Sequence, residues 1–301
     1  MLLETRELRY FVAVAEAGRF TNAARQLHIA QQSLSAAIAQ MERRLGVELF
    51  ERDRQGLKLT PAGEALLPSA RAILERTEAA AEDARRAAGG GTLRVGYAVL
   101  AASELTTPIL ARLQSAEPRL EIRLRLADYD DPSAGLAKGR TDVALVRRPL
   151  AGDFAFEDLF HEPRVAVLPR AREARRVGIG ELADDPVIAD PGPDEVWRAF
   201  YTADDVRGGP PKRTVTVSSF DEELATVSLG RAIAFTSAAA ARLYPRPELA
   251  YVPLAGAAPC TVALAWVRAR APRQLESILA AARGARDQAR ADGSFERYGW
   301  N

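Results

Sequence analysis

Apolar residues near the start of the chain recur with helical spacing. Leu8, Phe11, Val12 and Ala15 fall at i, i+3, i+4 and i+7, so they form one stripe along an amphipathic helix that Thr5 would cap. The pattern predicts a first helix whose apolar face belongs to a small core.

Two more helices are predicted, joined by the three-residue connection 28–30. Thr21 would cap the earlier one. The later one turns one apolar face inward, formed by Leu34, Ile38, Met41 and Leu45. Its opposite face carries Gln32, Ala36, Ala39, Gln40 and Arg43. Such a face of amides and small side chains suits contacts with base edges in a major groove, although similar faces often meet only water.

A short basic hairpin follows the third helix in "VELFERDRQGLKLTPAG". Gln55 and Gly56 form a turn between two apolar stretches, and Arg52, Arg54 and Lys58 lie around its tip. Three helices followed by a basic hairpin predict a winged helix-turn-helix, in which the third helix enters the groove and the wing contacts phosphates.

Motifs in this region match a known family at fixed spacing. They are LRYFVAVAE (8–16), FTxAAxxL (20–27), QxxLSxxI (31–38), LGxxLFxR (45–52) and LTPAG (59–63). The region closely resembles the LysR-type transcriptional regulators. The resemblance implies a helix-turn-helix from about Phe20 to Ala39 and binding to double-stranded operator or promoter DNA.

Two positions depart from the family pattern. The family usually has proline where this chain has Gln32, and often a polar side chain where it has Ala36. Ala36 can touch a thymine methyl group but cannot donate to guanine. Base contacts are therefore expected from Gln31, Gln32, Ser33, Ser35 and Gln40. Phosphate contacts are expected from Arg43, Arg52 and Arg54.

A long helix is predicted to begin at Thr60-Pro61, a capping hydroxyl followed by proline at the first helical position. Pro68 would kink it slightly. A heptad-like seam follows, made of Leu66, Ala70, Ile73, Thr77, Ala80 and Ala84, flanked by Leu67, Leu74 and Ala81. The seam ends at glycines 89–91. It fits a linker that pairs two copies of the chain, and the alternative is a helix packed on its own domain.

After the glycines, strand-like and helix-like stretches alternate, which predicts α/β units with mostly parallel sheets. The expected strands are 93–97, 121–127, 142–146, 165–168, 187–189, 214–217, 232–235, 250–254 and 261–267. The expected helices are 104–115, 131–138, 194–202, 219–229 and 272–290. In the family this region resembles a periplasmic solute-binding fold, with two lobes, two crossovers (here near 160–166 and 262–267) and a ligand cleft between them.

Ligands of such folds sit beyond the carboxyl ends of strands. That rule selects Tyr97, Ser103, Arg147, Arg148, Ser218, Ser219, Thr236 and Ser237 as effector-binding candidates. Two arginines and several hydroxyls would suit a carboxylate. The alternatives are that Arg147 and Arg148 are ordinary surface charges and that Ser219 only caps a helix.

Composition narrows the function without identifying it. The 301 residues carry a net charge of +1, so any argument for DNA binding rests on local pattern. Cys260 is the single cysteine and no secretory leader is recognisable, so a cytoplasmic protein is expected, with no membrane partner. His28 and His161 are the only histidines, and with one distant cysteine they form no metal-ligand cluster, so we expect no metal site, no cofactor and no catalytic residues. The match of 178–183 to a dinucleotide fingerprint lacks a preceding strand and is attributed to chance.

The resulting hypothesis is a regulator with three parts: a winged helix-turn-helix domain (1–63), a linker and dimerisation helix (61–88) and an effector domain (92–301). Lobe I would span about 92–162 and 266–290, and lobe II about 163–265. Its partners would be DNA, a small and anionic metabolite, and a second copy paired through the linker helix. A homotetramer and contact with RNA polymerase are what the resemblance implies. The rival hypotheses are a solute-binding protein of transport and an α/β enzyme.

Overall fold

The computed structural model describes residues 3–53, 56–87, 91–101, 103–127, 129–189, 192 and 194–301. The chain divides into two compact units, Met1–Gly89 and Gly90–Asn301, and each is described by itself. None of the helices in these described ranges combines the length and apolar character that crossing a membrane requires.

The first unit is helical with one small hairpin. Its elements are α1 (Thr5–Ala17), α2 (Phe20–Gln26), α3 (Gln31–Leu45), β1 (Phe50–Asp53), β2 (Gly56–Leu59) and α4 (Pro61–Ala87). The antiparallel pair β1–β2 forms the predicted wing. The ring of Phe50 lies 5.4 Å from that of Phe11 and 6.0 Å from that of Phe20. The wing is therefore anchored in the same core as the first two helices.

The two predicted threonine caps of α1 and α2 are wrong. The N-cap of α1 is Glu4, whose N–H donates to the Glu7 carboxylate at 2.9 Å. The N-cap of α2 is Arg19, because the chain turns at the left-handed Gly18 (φ +62°) and enters the helix two residues before Thr21. The predicted cap of α4 is confirmed, since the Thr60 hydroxyl accepts the N–H of Gly63 at 3.1 Å.

The predicted linker seam is divided in the structure. Ala70 is fully buried, and Leu66, Leu67 and Leu74 pack with it against the core of the same unit. The alternative of a helix packed on its own domain therefore holds for this half of α4. The remaining described seam positions are exposed, namely Ile73, Thr77, Ala80, Ala81 and Ala84.

The second unit alternates strands and helices. Its strands are β3 (Thr92–Tyr97), β4 (Glu121–Leu126), β5 (Val143–Arg148), β6 (Phe154–Glu162), β7 (Arg164–Pro169), β8 (Val187–Ala189), β9 (Thr214–Thr216), β10 (Ala234–Ser237), β11 (Leu249–Pro253) and β12 (Cys260–Val267). Its helices are α5 (Ser103–Ala116), α6 (Glu195–Tyr201), α7 (Asp204–Arg207), α8 (Phe220–Ser228), α9 (Ala239–Leu243), α10 (Leu275–Ala291) and α11 (Ser294–Tyr298), with 3-10 turns at Arg170–Arg172, Ile179–Leu182 and Arg268–Arg270.

The strands form two lobes. The sheet of lobe I has the order β4-β3-β5-β12-β6, and lobe II contains β10-β7-β11 and the pair β8-β9. The pairs β3–β4, β3–β5 and β8–β9 are parallel, but β12 runs antiparallel to both neighbours and β7 does the same. The expectation of mostly parallel sheets is therefore only partly right, because the strands that pass between the lobes run against the others.

The first crossover lies where expected, with Pro163 joining β6 to β7. The return differs from the prediction, since the whole of β12 already belongs to the sheet of lobe I and the chain crosses before Cys260. After the first crossover the side chain of Arg164 is fully buried. It pairs with Asp205 at 2.6 Å and donates to the carbonyl of Phe200. The start of β7 is thus fixed inside lobe II.

Two further predictions of secondary structure are wrong. Strand β6 was not expected, because Glu157 and Asp158 interrupt its apolar pattern. It is the edge strand of its sheet, and Glu157 is paired there with Arg283 at 2.8 Å. Residues 131–138 form consecutive turns instead of a helix, with Ala134 and Gly135 at positive φ.

Replacing Gly96 with alanine is expected to lower the free energy of unfolding by about 1–3 kcal/mol, because a Cβ there would overlap the carbonyl oxygen of Ala134. Chemical denaturation of the full chain measures this. Gly180→Ala is the matched control, since a Cβ at Gly180 meets nothing within 4 Å. Equal stability of the two variants would show that the turn over β3 is not packed as described.

Candidate functional site

The exposed face of α3 is polar and almost uncharged. Leu34, Ile38 and Met41 are buried beneath the helix. On the outside, Gln31, Gln32, Ser33, Ala36, Gln40 and Arg43 are exposed and Ser35 is half-buried. The structure thus brings all seven described candidates of α3 to accessible positions, and hydrogen-bonding groups outnumber charges there.

Contacts from neighbouring elements hold α3 in place. The guanidinium of Arg44 pairs with the Glu7 carboxylate of α1 at 2.6 Å. The Glu42 carboxylate accepts the N–H of Leu49 at 2.8 Å and of Phe50 at 3.2 Å. The hydroxyl of Thr21 donates to the side-chain oxygen of Gln31 at 3.3 Å, which leaves the amide NH₂ of Gln31 as its donor to a ligand. The polar face is therefore presented by a supported helix.

Two of the residues predicted to contact phosphates lie wholly or partly outside what the structure describes. Arg54 lies outside the described residues, and for Arg52 the structure describes only the backbone, within β1. Arg19 and Arg25, beside and within α2, are exposed cations that the sequence analysis did not select. Their proximity to a predicted recognition helix was the available signal.

A cavity of about 60 Å³ lies between the two lobes of the second unit. Its walls are mostly apolar and aromatic, with one cation and two carboxylates. The lining residues are Ala98, Val99, Ala127, Tyr129, Asp131, Pro132 and Arg147 from lobe I, and Ile188, Trp197, Tyr201, Phe220, Glu223, Ala234, Phe235 and Thr236 from lobe II. A small number of polar groups in an apolar concavity is the usual composition of a small-molecule site.

Arg147 is the buried cation of this cavity, with 7% of its surface exposed. Its guanidinium donates to the hydroxyls of Thr236 at 3.4 Å and Ser237 at 3.3 Å and lies 5.1 Å from the centre of the Tyr201 ring. Its Nε has no hydrogen-bond partner, and within the described part of the chain no carboxylate pairs with it. A buried guanidinium with only long bonds to hydroxyls retains capacity for an anion.

Burial and neighbouring groups shift the pKa of Arg147 and the pKa values of Tyr201 and Cys260 beside it. Burial lowers the pKa of Arg147, but Tyr201, Cys260, Glu162 and Glu223 outweigh this and raise it. Burial in turn raises the pKa of Tyr201 well above its ordinary value and that of Cys260 to about 11. The phenol and thiol are therefore uncharged at neutral pH.

Glu162 ends β6 at the crossover and is completely buried. Burial raises the pKa of its carboxyl, although the Ser237 hydroxyl and the cations Arg147 and Arg242 act in the opposite direction. One oxygen accepts the N–H of Ala239 at 3.1 Å, and the other has no partner among the described residues.

A second polar bridge crosses the cavity. The hydroxyl of Tyr129, after β4 in lobe I, donates to the Glu223 carboxylate on α8 of lobe II at 2.5 Å. Sequence reasoning missed both residues, and it missed Trp197 and Tyr201. The signals were present: Trp197 and Tyr201 share one face of α6, and Glu223 shares the buried face of α8 with Phe220, Leu224 and Val227.

Other predicted effector contacts lie away from the cavity. Arg148 pairs with Asp158 at 3.0 Å and stacks on Phe156, so the surface-charge alternative describes it. The Ser219 hydroxyl accepts the N–H of Glu222 at 3.2 Å as the cap of α8. The Glu222 carboxylate in turn accepts from the N–H and the hydroxyl of Ser218.

Tyr97 packs against the core of lobe I, and only the backbone of Ser103 is described. Of the predicted effector contacts, the structure therefore brings Arg147 and Thr236 together at the cavity, with Ser237 beside them.

The remaining chemistry is sparse. Cys260 is buried, and no cluster of three metal-binding side chains occurs among the residues described. The stretch 178–183 forms a 3-10 turn in which the Glu181 carboxylate accepts the N–H of Gly178.

Comparison with known protein families gives two matches that together span most of the chain. A family model described as "Bacterial regulatory helix-turn-helix protein, lysR family" matches residues 5–64. A second, described as "LysR substrate binding domain", matches residues 86–287.

Individual relatives agree. The chain is 35% identical to the Hca operon transcriptional activator HcaR of Escherichia coli (strain K12), over 62% of this chain and 67% of that protein. It is 30% identical to the HTH-type transcriptional regulator IlvR of Caulobacter vibrioides, over 92% of this chain and 96% of that one. A crystal structure of full-length CbnR complexed with its target DNA shares the fold, with a TM-score of 0.63 and 23% identity over 94% of this chain and 99% of that one.

Replacing Glu162 with glutamine tests the electrostatics at the crossover. Because the folded-state pKa of Glu162 is raised, the native protein binds this proton more tightly than the unfolded chain, and the contribution of Glu162 to stability falls as pH rises above its ordinary value of 4.5. The free energy of unfolding of Glu162→Gln minus that of the wild type should therefore increase between pH 4 and pH 7, as measured by urea denaturation.

Glu195→Gln, at a carboxylate that is 84% exposed, controls for the loss of one charge. A difference that decreases with pH would mean that Arg147 and Arg242 stabilise the ionised carboxylate more than burial destabilises it.

Proposed function

The chain belongs to the LysR family of bacterial transcriptional regulators, and we propose that it reads its operator through the polar face of α3 and responds to a small anionic metabolite bound at Arg147. As a member, it is a DNA-binding transcriptional regulator with an effector-binding domain, and it is not an enzyme. The observation that carries the proposal is helix α3, which neighbouring elements hold in place and whose accessible face is rich in amides and hydroxyls.

Base recognition would rest on uncharged groups. Glutamine side chains pair with adenine through two hydrogen bonds, hydroxyls accept or donate at either kind of base pair, and the methyl group of Ala36 suits a thymine. The proposed readers are Gln31, Gln32, Ser33, Ser35, Ala36 and Gln40. Arg43, with Arg52 and Arg54 of the wing, would neutralise phosphates and fix the register of the helix on DNA.

We propose that two copies pair through the exposed seam positions of α4, which run from Ile73 to Ala84. Ile73 is 47% exposed there, and the small exposed residues after it would allow close helix approach. A dimer presents two recognition helices, so the operator would contain two half-sites about one DNA turn apart or a multiple of that distance. A tetramer and a contact with RNA polymerase belong to the same proposal.

The division of labour would follow the three predicted segments: residues 1–63 for DNA, 61–88 for pairing and 92–301 for the effector, with lobe I near 92–162 and 266–290 and lobe II near 163–265. The position of β12 supports moving the second crossover to just before Cys260.

The effector would place an anionic group on Arg147, with hydroxyl contacts from Thr236 and Ser237. These groups belong to opposite lobes, so an anion between them would change how closely the lobes approach. A ligand shifts an equilibrium only when it binds the two arrangements with different affinity. We propose that the arrangement of the lobes alters how paired chains sit on the operator.

The rival hypotheses have less support. A transport solute-binding protein has no use for the winged helix-turn-helix of residues 5–64. An α/β enzyme needs an accessible nucleophile or an acid–base pair. The described residues of the cavity offer Arg147, two carboxylates that are hydrogen-bonded within the protein (Asp131 and Glu223) and the phenols of Tyr129 and Tyr201.

The DNA proposal is tested with the full chain on its own upstream DNA across a salt series, by fluorescence anisotropy. Arg43→Ala should weaken binding to specific and random DNA alike and reduce the slope of log K against log salt by about 1 per lost phosphate contact. Gln32→Ala should leave the slope unchanged and lose about 1–3 kcal/mol of preference for the specific DNA.

Arg6→Ala, which removes an exposed cation of α1, is the matched control and should leave both quantities unchanged. Equal losses on specific and random DNA for Gln32→Ala would contradict base reading by α3, and an unchanged slope for Arg43→Ala would contradict its phosphate contact.

A further inference from the structure

Arg242 is a cation of lobe II that contacts lobe I beside the crossover. Its helix α9 is anchored in the core of lobe II by Ala239 and Ala240. From there the guanidinium donates through Nε to the carboxylate of Glu104, at the start of α5 in lobe I, at 3.1 Å. It also donates to the carbonyl oxygen of Tyr298 at 3.4 Å and lies 4.9 Å from the centre of the Tyr298 ring. One side chain of lobe II therefore contacts both α5 and α11.

The segment that carries Tyr298 is fixed to lobe I. Trp300 is buried in the core of that lobe, and its ring stacks on Phe160 of β6 with 4.0 Å between the ring centres. The backbone of Asn301 exchanges two hydrogen bonds with that of His161, at 2.8 and 2.9 Å. These contacts attach the segment to the end of β6, just before the crossover. The carbonyl and ring that Arg242 contacts therefore belong to lobe I.

The start of α9 is also bonded to the crossover. The N–H of Ala238 donates to the carbonyl of Pro163 at 2.9 Å, and the N–H of Ala239 donates to the carboxylate of Glu162 at 3.1 Å. The same carboxylate lies 4.0 Å from Nη2 of Arg242. Movement of α9 away from lobe I would therefore break the two backbone bonds together with the contacts of Arg242.

The ion pair between Arg242 and Glu104 is sheltered from solvent. The two side chains are 26% and 20% exposed, and salt screens such a pair less than it screens a surface pair. Arg246, later in the same lobe, pairs instead with Asp221 of α8 at 2.6 Å, and the Asp221 side chain is 79% exposed. The first pair joins the lobes, and the second lies within lobe II.

The contacts of Arg242 lie next to two segments that form the cavity walls. In lobe II, β10 carries Thr236 and ends at Ser237, and α9 follows almost directly. In lobe I, Ala98 and Val99 line the cavity shortly before α5 begins. The ion pair between α9 and α5 therefore joins the helices that follow cavity walls of opposite lobes.

We propose that Arg242 is a positioning residue that latches the two lobes together, with Glu104 and the Tyr298 segment as its partners in lobe I. Separation of the lobes at the crossover requires these contacts to break. The latch goes beyond the proposed function, because it holds the lobes without any ligand. Its consequence for DNA rests on that function, in which the arrangement of the lobes alters how paired chains sit on the operator.

Hydrogen exchange of the full chain, measured by mass spectrometry with no ligand added, tests the latch. The amides of Ala238 and Ala239 are the reporters, because they bond to the crossover and exchange when α9 moves away from it. In Arg242→Gln, the peptide 237–243 should exchange at least about fivefold faster than in the wild type, because a charged hydrogen bond is lost. Residues 249–253 of β11 should keep the wild-type rate, since they pair with β7 of the same lobe.

Three further variants complete the test. Arg246→Gln removes the cation of the pair within lobe II and should leave the exchange of 237–243 at the wild-type rate. Glu104→Gln removes the partner in lobe I and should accelerate the same peptide, and it decides the matter if Arg242→Gln fails to fold. The double variant of Arg242→Gln with Glu104→Gln should exchange no faster than Arg242→Gln alone, because both changes break one ion pair.

Wild-type exchange over 237–243 in Arg242→Gln and Glu104→Gln would overturn the latch. An equal acceleration over 249–253 would also overturn it, because lobe II as a whole would then be destabilised.

A DNase I footprint of Arg242→Gln on the upstream DNA, again with no ligand added, separates the latch from the proposed function. Local acceleration of exchange with an altered footprint supports both. The same acceleration with an unchanged footprint supports the latch and contradicts the proposal that the arrangement of the lobes alters how the chains sit on DNA.

Discussion

The guanidinium of Arg147 is the group on which the effector half of the molecule depends. It is carried by β5 of lobe I and reaches the hydroxyls of β10 in lobe II, so it spans the cleft. An isolated charge is expensive to bury. Here Tyr201, Cys260, Glu162 and Glu223 raise the pKa of the guanidinium, which lies against the Tyr201 ring, and none of the described carboxylates forms an ion pair with it. This arrangement keeps the cation buried while leaving a direct contact for a ligand.

The crossover places this cation in a position to act on the arrangement of the lobes. Glu162 is the last residue of β6, Pro163 is the connection, and Arg164 is fixed inside lobe II by Asp205. Glu162, one of the groups that raise the pKa of Arg147, therefore lies at the point where the chain passes between the lobes.

The DNA-binding unit follows a different design. Its ion pair between Glu7 and Arg44 joins α3 to α1, and the bonds from Glu42 join α3 to the wing. Charged groups thus hold the helix in place, and the exposed face that we propose for base recognition is mostly uncharged. The exposed face of α3 therefore carries many amides and hydroxyls and few charges.

Sequence reasoning reached the parts of the structure that local periodicity controls. The spacing of Leu34, Ile38 and Met41 gave α3 and its outward face, and Thr60-Pro61 gave the start of α4. It did not reach features that depend on distant partners. The acidic residues of β6 interrupt its apolar pattern, so periodicity does not predict the strand. Glu157 is accommodated there because it pairs with Arg283, which lies far along the chain. Residues 131–138 begin with Asp131-Pro132, a start typical of a helix. The Asp131 carboxylate instead accepts the N–H of Gly135, which has a positive φ, and the segment forms turns.

The effector site shows the same limit. The rule that ligands lie beyond strand ends selected Arg147 and Thr236 but also Arg148, whose side chain points to Asp158. Adjacent residues of a strand face opposite sides, so one of the two arginines was bound to lie away from the cavity. Tyr129 and Glu223 could not be paired from sequence, since they meet only when the lobes come together.

We propose that occupancy of the Arg147 cavity changes which DNA positions the regulator contacts. We would record a DNase I footprint of the full chain on its own upstream DNA, with and without a saturating concentration of a small carboxylate that binds the full chain, for the wild type and Arg147→Gln. We expect a footprint that changes in length or in its hypersensitive positions for the wild type and stays constant for the variant. Identical wild-type footprints with and without the bound acid would contradict it.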